Sequence, residues 1–378
     1  MIYLDNAATT PVNPEVAKVI YESMLNTFAN PSSLYAIGAE SEFSMDKARS
    51  FVADCMGAKR NELFFTSCAS ESNNLAIYGL ALARKNWGKR IITTGYEHPA
   101  VRNPFRMLEE QGFEAVYINP DKNGVVDPQR IIDAVDSKTC LVSLIHVNNE
   151  TGAKLDIEKI TARIKEKNPR TAIHIDAVQS FMKYPLDVKK LKIETLSFSA
   201  HKINGPKGIG GLYIRSGTNL KPVFLGGGQE KGIRAGTENI HYIQGVAKAC
   251  EILKPNLIKN LQHYAKLKTR LLEGLKQFDN VVINSPDDAA PYTVNISFTG
   301  YRSETVLHFL DSMGICVSSG SACSKGAQSH TLEVMKLDQK LIDSAIRISF
   351  GVQNTEEDVD ALIDALKLTK EKIQKVKR

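Results

Sequence analysis
Short apolar and β-branched runs recur along the first two thirds of the chain, at 63–66, 91–94, 115–118, 140–147, 172–175, 195–198 and 211–214. They read as strands with both faces covered. Amphipathic stretches lie between most of them. The segment 44–56 ends at Gly57, and 70–86 repeats Leu75, Ile77, Tyr78 and Leu82 at spacings near one helical turn. Helices are also predicted over 104–111 and 157–167. Strands separated by helices of this length form a mostly parallel sheet covered on both sides, an α/β fold.

After about Leu253 the pattern changes. A long amphipathic stretch, 258–278, leads to short strand patterns at 281–283 and 293–298. Helices are predicted at 303–312 and 340–347, and Thr355 to Asp358 reads as a capping box opening a last helix. This division implies a large domain over 13–255 and a smaller α+β domain built from 1–12 and 256–378.

Composition removes several classes of protein. The chain has 378 residues, 43% hydrophobic and 24% charged, with no run near the ~18 apolar residues of a membrane span. The opening residues show no export signal, so a cytoplasmic setting is expected. A net charge of +6, spread thinly, argues against direct nucleic-acid binding. The six cysteines include no Cys-x-x-Cys pair, so zinc is not indicated and reduced thiols are expected.

Four segments carry candidate chemistry. Ser199-Ala200-His201-Lys202 precedes a glycine-rich turn, and a lysine at the edge of a strand in an α/β sheet lies where ligands bind. Buried there, it can join covalently to a carbonyl, whereas alone it reads as one lysine among many. Asp176 ends an apolar strand, where a buried carboxylate needs a cationic partner or serves as a helix cap. Ser70, at a helix start, suits an anion or simply caps the helix. Cys323 lies among small polar residues beside Lys325, a setting for a nucleophilic thiolate or for an inert loop thiol.

In order and spacing these segments resemble the cysteine desulfurases, pyridoxal-phosphate enzymes of the class-V aminotransferase family. The resemblance also includes Tyr3-Leu4-Asp5-Asn6-Ala7-Ala8-Thr9-Thr10, Asn30-Pro31-Ser32-Ser33, Glu97-His98, Val147-Asn148-Asn149-Glu150, Asp176-Ala177-Val178-Gln179, Arg234-Ala235-Gly236-Thr237 and Arg347. The loop Ser319-Gly320-Ser321-Ala322-Cys323 is similar to that of the long-loop group, which serves iron–sulfur assembly and transfer-RNA thiolation.

The resemblance implies a fold type I architecture with a seven-stranded sheet, and it implies roles. Lys202 carries the cofactor and moves protons, Asp176 holds the pyridine nitrogen, His98 stacks on the ring and Gln179 bonds its phenolic oxygen. Ala69, Ser70, Ser199 and His201 hold the phosphate, with Thr237 supplied by the second subunit of a homodimer. Arg347 and Asn149 bind the carboxylate of L-cysteine. Cys323 takes the sulfur as a persulfide and passes it to an acceptor protein, a scaffold or a thiolation enzyme. A selenocysteine lyase or a sulfide-releasing cysteine lyase on the same scaffold is the alternative. This chain departs from the family pattern at Cys68, Ser70, Tyr35 and the segment 325–334.

Overall fold
A computed structural model describes residues 1–319 and 328–375. In chain order its strands are β1 (Ile2–Tyr3), β2 (Leu63–Thr66), β3 (Arg90–Thr94), β4 (Glu114–Ile118), β5 (Thr139–Ile145), β6 (Ala172–Asp176), β7 (Thr195–Ser199) and β8 (Gly210–Ile214). They are followed by β9 (Val281–Ile283), β10 (Thr293–Phe298), β11 (Ile315–Cys316) and β12 (Ala345–Ser349).

The seven apolar runs of the first two thirds join in one sheet, ordered β2-β8-β7-β6-β5-β3-β4. All pairs are parallel except those made by β8, which runs against both β2 and β7. Strands β5 to β8 are buried along their whole length, because helices cover both faces. One face packs against Ala36–Asp54, Ile157–Lys167 and Ile240–Leu253. The other packs against Ala69–Arg84 and Pro99–Glu110. Since β2, β3, β5, β6 and β7 point the same way, their C-terminal ends share one edge of the sheet, the edge where such folds bind ligands.

A separate apolar cluster surrounds the three-stranded sheet β12-β10-β9, with the helices Leu257–Leu275, Ser303–Ser312 and Glu356–Lys372 against it. The chain start joins this cluster: β1 pairs with β11, and Leu4 is wholly buried among these residues.

Three local expectations change. The stretch 340–347 is not one helix: a short turn, Gln339–Ile342, gives way to β12, which pairs with β10 from Thr293↔Ser349 to Ser297↔Ala345. Ile346 and Ile348 alternate with polar neighbours, a period of two that a helix cannot bury. The helix expected at Pro104 starts at Pro99, and Pro104 lies inside it. The helix expected at Ser70 starts at Ala69 with Cys68 as its N-cap, so Ser70 occupies the first turn rather than the cap.

Candidate active site
The strand ends enclose a cavity of about 180 Å³ lined by Ala7, Ala8, Cys68, Ala69, Ser70, Asn73, His98, Asn149, Asp176, Gln179, Ser199, His201, Lys202 and Arg347, among others. Every candidate residue named from the sequence except Thr237 and Cys323 therefore lines one space. Thr237 lines a different cleft, with Ser67, Arg234 and Glu238. Cys323 lies outside the described residues.

Local sequence explains how each side chain arrives. Asp176 is the last residue of β6 and is buried. Its two oxygens accept from the Val178 amide at 3.0 Å and the Asn73 side-chain amide at 2.8 Å. Burial pushes its carboxyl above the usual range, and those two donors and the Lys202 charge pull it back. Asn73 Oδ1 accepts from the Ser197 hydroxyl and meets His174 Nε2 at 3.0 Å. Burial pushes His174 down to about 3, so the ring is neutral; an acceptor at Nε2 places the proton there, and Nδ1 takes the Thr195 hydroxyl at 2.9 Å.

Lys202 lies in the short turn after β7, and its Nζ donates to the carbonyls of Ala7 and Ala8 at 2.6 Å each. His98 follows β3 and caps the helix Pro99–Glu110, its Nδ1 accepting from the Ala100 amide at 3.1 Å. Burial, then Lys202 and Arg102, push it down to about 4, leaving a neutral ring with its proton on Nε2. His201, also pushed down to about 4 by burial and neighbouring lysines, meets Thr9 Oγ1 at 3.1 Å through Nδ1.

Arg347 enters from the second sheet. Its guanidinium is 1% exposed and donates to Asp5 Oδ1 at 2.7 Å and to the Asn149 main-chain carbonyl at 2.9 Å. Its Nε has no partner among the described residues.

These residues fit pyridoxal phosphate. The helix Ala69–Arg84 opens at the cavity, and the first N–H groups of a helix have no partner within it. Gly210 lets β8 approach that opening: a Cβ there would lie 2.9 Å from the Ala69 nitrogen and 2.7 Å from the Cys68 carbonyl carbon. Gln179 Nε2 donates to the Ala7 carbonyl at 2.9 Å, whereas its buried Oε1 has no partner among the described residues. The cavity thus offers an anion cradle, a buried carboxylate, an amine and an unfilled amide.

Sequence reading missed Asn73, Asp5 and the Ala7–Ala8 carbonyls. Asn73 lies one helical turn past Ala69 and Ser70, a spacing that would have placed it on the same face. No local signal could have paired Asp5 with Arg347.

Comparison with known proteins agrees with this geometry. The aminotransferase class-V family model matches residues 2–362, and the chain belongs to that family, whose members depend on pyridoxal phosphate. Within it, the chain is similar to proteins named cysteine desulfurase IscS. It is 40% identical to that of Methanosarcina thermophila over 97% of this chain and 91% of the relative. It is 42% identical to that of Vibrio vulnificus over 99% and 93%. A solved NifS-like protein superposes with a TM-score of 0.93 at 37% identity, covering 98% of this chain and 99% of that one. A structure described as SspA in complex with cysteine gives 0.82 at 35% identity, covering 93% and 99%.

Proposed function
We propose that this chain is a cysteine desulfurase, converting L-cysteine to L-alanine and taking the sulfur as a persulfide on Cys323. The observation that carries the reading is the meeting of Lys202, Asp176, His98 and Arg347 in one cavity. Lys202 would attach the cofactor, Asp176 would hold the proton of its ring nitrogen, and His98 and Gln179 would hold its ring and phenolic oxygen. Ala69, Ser70, Ser199 and His201 would hold its phosphate. Once bound, the cofactor supplies an electron sink for the pair left at the substrate Cα. Arg347, with Asn149, binds the substrate carboxylate by charge-assisted hydrogen bonds. Lys202 Nζ would take the substrate Cα proton and deliver it onward.

In the transfer step the Cys323 thiolate attacks the substrate sulfur. A sulfur–sulfur bond forms as the carbon–sulfur bond breaks, and the released electron pair, once protonated, completes alanine. Two anchors support the reach of Cys323. Ser318 exchanges backbone bonds with Arg347 at 2.7 and 3.1 Å, and Cys323 follows five residues later, a span of up to about 17 Å of extended chain. On the far side Ser329 and Thr331 donate to Glu150, next to Asn149.

The second subunit supplies Thr237. Phe28, Leu34 and Phe43 are 71%, 103% and 73% exposed on or beside the first two helices, apolar surface that a partner copy covers. The recipient of the sulfur is an acceptor protein of iron–sulfur assembly or of a thiolation pathway. A cytoplasmic setting suits the five described cysteines, which are all free. No helix among the described residues is long and apolar enough to cross a membrane.

Anaerobic incubation with L-cysteine, quantifying alanine and Cys323-bound sulfur together, tests the reading. Equal amounts of each in a single turnover, with both lost in Cys323→Ser, are expected. Multiple turnovers by Cys323→Ser without added thiol would instead support a sulfide-releasing lyase.

A further inference from the structure
The loop that brings Asn149 to the first cavity is rooted in a second one. His146 follows β5; its amide donates to the Asp176 carbonyl at 2.9 Å, and its carbonyl accepts from the Leu155 amide at 3.0 Å. The base of this loop, the start of the helix Ile157–Lys167 and the turn 184–191 border a cavity of about 750 Å³. It shares no lining residue with the first cavity.

His146 lines this second cavity, is 7% exposed, and has no hydrogen-bond partner at either ring nitrogen among the described residues. A buried polar group is seldom left so without a ligand or water to meet it. Burial, then Lys154, push the ring down to about 4, so it is neutral near neutral pH and offers one nitrogen as an acceptor. The Tyr184 ring borders the same space, 5.9 Å from the His146 ring. An aromatic face attracts a cation, and Lys154 Nζ already lies 5.7 Å from the Tyr184 ring centre.

The charges at the rim act in the same sense. Asp156, Glu158, Asp187 and Asp288 outnumber Lys154 and Lys190, and no ion pair among the described residues engages any of the six. Asp156 and Asp187 each accept one backbone amide, from Lys159 and Lys189. These acids are not arranged as metal ligands: no group of three or more His, Cys, Asp or Glu able to hold an ion occurs among the described residues. Pro128, Leu155 and Leu186 add an apolar wall. Such a lining suits a cation carried on a hydrocarbon stem.

We propose that this cavity binds an alkylammonium or alkylguanidinium group over the Tyr184 ring, among the four acids, with an N–H donated to His146 and the stem against the apolar wall. The ligand takes the place over the ring that Lys154, an exposed side chain, now holds. The inference goes beyond the reading of the first cavity and does not rest on it.

The test is calorimetric titration of n-butylguanidinium into the pyridoxal-phosphate-loaded protein, near neutral pH and at low salt. Saturable binding is expected, with none for n-butylurea, which has the same shape and no charge. Tyr184→Leu and His146→Leu are each expected to weaken binding about tenfold. Asp288 and Lys154 are exposed, so their variants keep the fold whatever becomes of those two. Asp288→Asn is expected to weaken binding about threefold, and Lys154→Met, which clears the ring, to tighten it by a similar factor. No saturable heat, equal binding of n-butylurea, or Asp288 and Lys154 variants that leave the affinity unchanged or shift it the same way would overturn the inference. Bound-cofactor absorbance is followed throughout and should stay constant; a change would place the probe in the first cavity and overturn the inference too. An acetyl-Gly-Arg-Gly-amide peptide that binds more tightly than n-butylguanidinium points to an arginine side chain of a protein as the source of the cation, and equal or weaker binding points to a free small cation.

Discussion
The two ends of the cavity are built on different plans. At the Asp176 end, carboxylate, amide, imidazole and two hydroxyls form a closed set from β6, β7 and one helix of the large sheet, with each partner satisfied. At the Arg347 end, the guanidinium comes from the second sheet and its carboxylate partner from the chain start, and Nε is left over. A closed network holds its geometry before any ligand arrives, which suits a group that stays through many turnovers. An arginine shared between a partly exposed acid and a carbonyl can exchange a partner for a substrate carboxylate that comes and goes. On the proposed reading the site separates a permanent end from an exchangeable one.

Perturbing the group between the two ends should have the largest effect. Lys202→Ala is expected to lower turnover by at least about 10³-fold and to abolish covalent cofactor attachment, read by mass after borohydride reduction. Next comes Asp176→Asn, expected to cost about 10²–10³-fold in kcat with little change in KM, measured by alanine release. A KM effect of equal size would blur the proposed division.

Arg347→Ala should act at the exchangeable end alone, raising the KM for L-cysteine about 10–100-fold while bound-cofactor absorbance persists. Asn73→Ala probes stability at the permanent end. It strands Asp176, His174 and Ser197, and a loss of about 1–3 kcal/mol is expected in urea unfolding. A neutral result would show that the network is not closed.

The smallest effect concerns pH. Glu97 is buried, its Oε1 taking the Thr94 hydroxyl at 2.6 Å and the Ile145 amide at 2.9 Å. Burial raises its carboxyl from 4.5 to about 8, with Asp176 adding to the rise. A folded-state value above the unfolded one means that its contribution is fully present below pH 4.5 and is lost as pH rises through about 8. Glu97→Gln cannot ionise, so relative to the wild type it should gain stability progressively as pH rises from 5 to about 8 in denaturant titrations. Parallel curves would exclude a protonated Glu97.

Much of the cavity was legible because its chemistry sits at the ends of apolar runs. Asp176 ends one such strand and Lys202 follows another, and the fold class follows from the way these runs alternate with helices. Ser70 was placed on the correct element but one position out of role, because a cap depends on where the first helical bond closes. Lys340 to Arg347 was read as a helix because apolar spacing in so short a stretch is ambiguous. Only pairing with β10 made 345–349 a strand.

By itself the amino-acid sequence determined the order of strands and helices and the residue types at the strand ends, for these obey short-range periods and backbone preferences. Tertiary structure alone decided that Asp5 would meet Arg347, 342 positions away, and that Thr237 would face another cleft. It also set which titratable groups lose their water. Desolvation and long-range pairing depend on what the rest of the chain places nearby, and no local pattern records that.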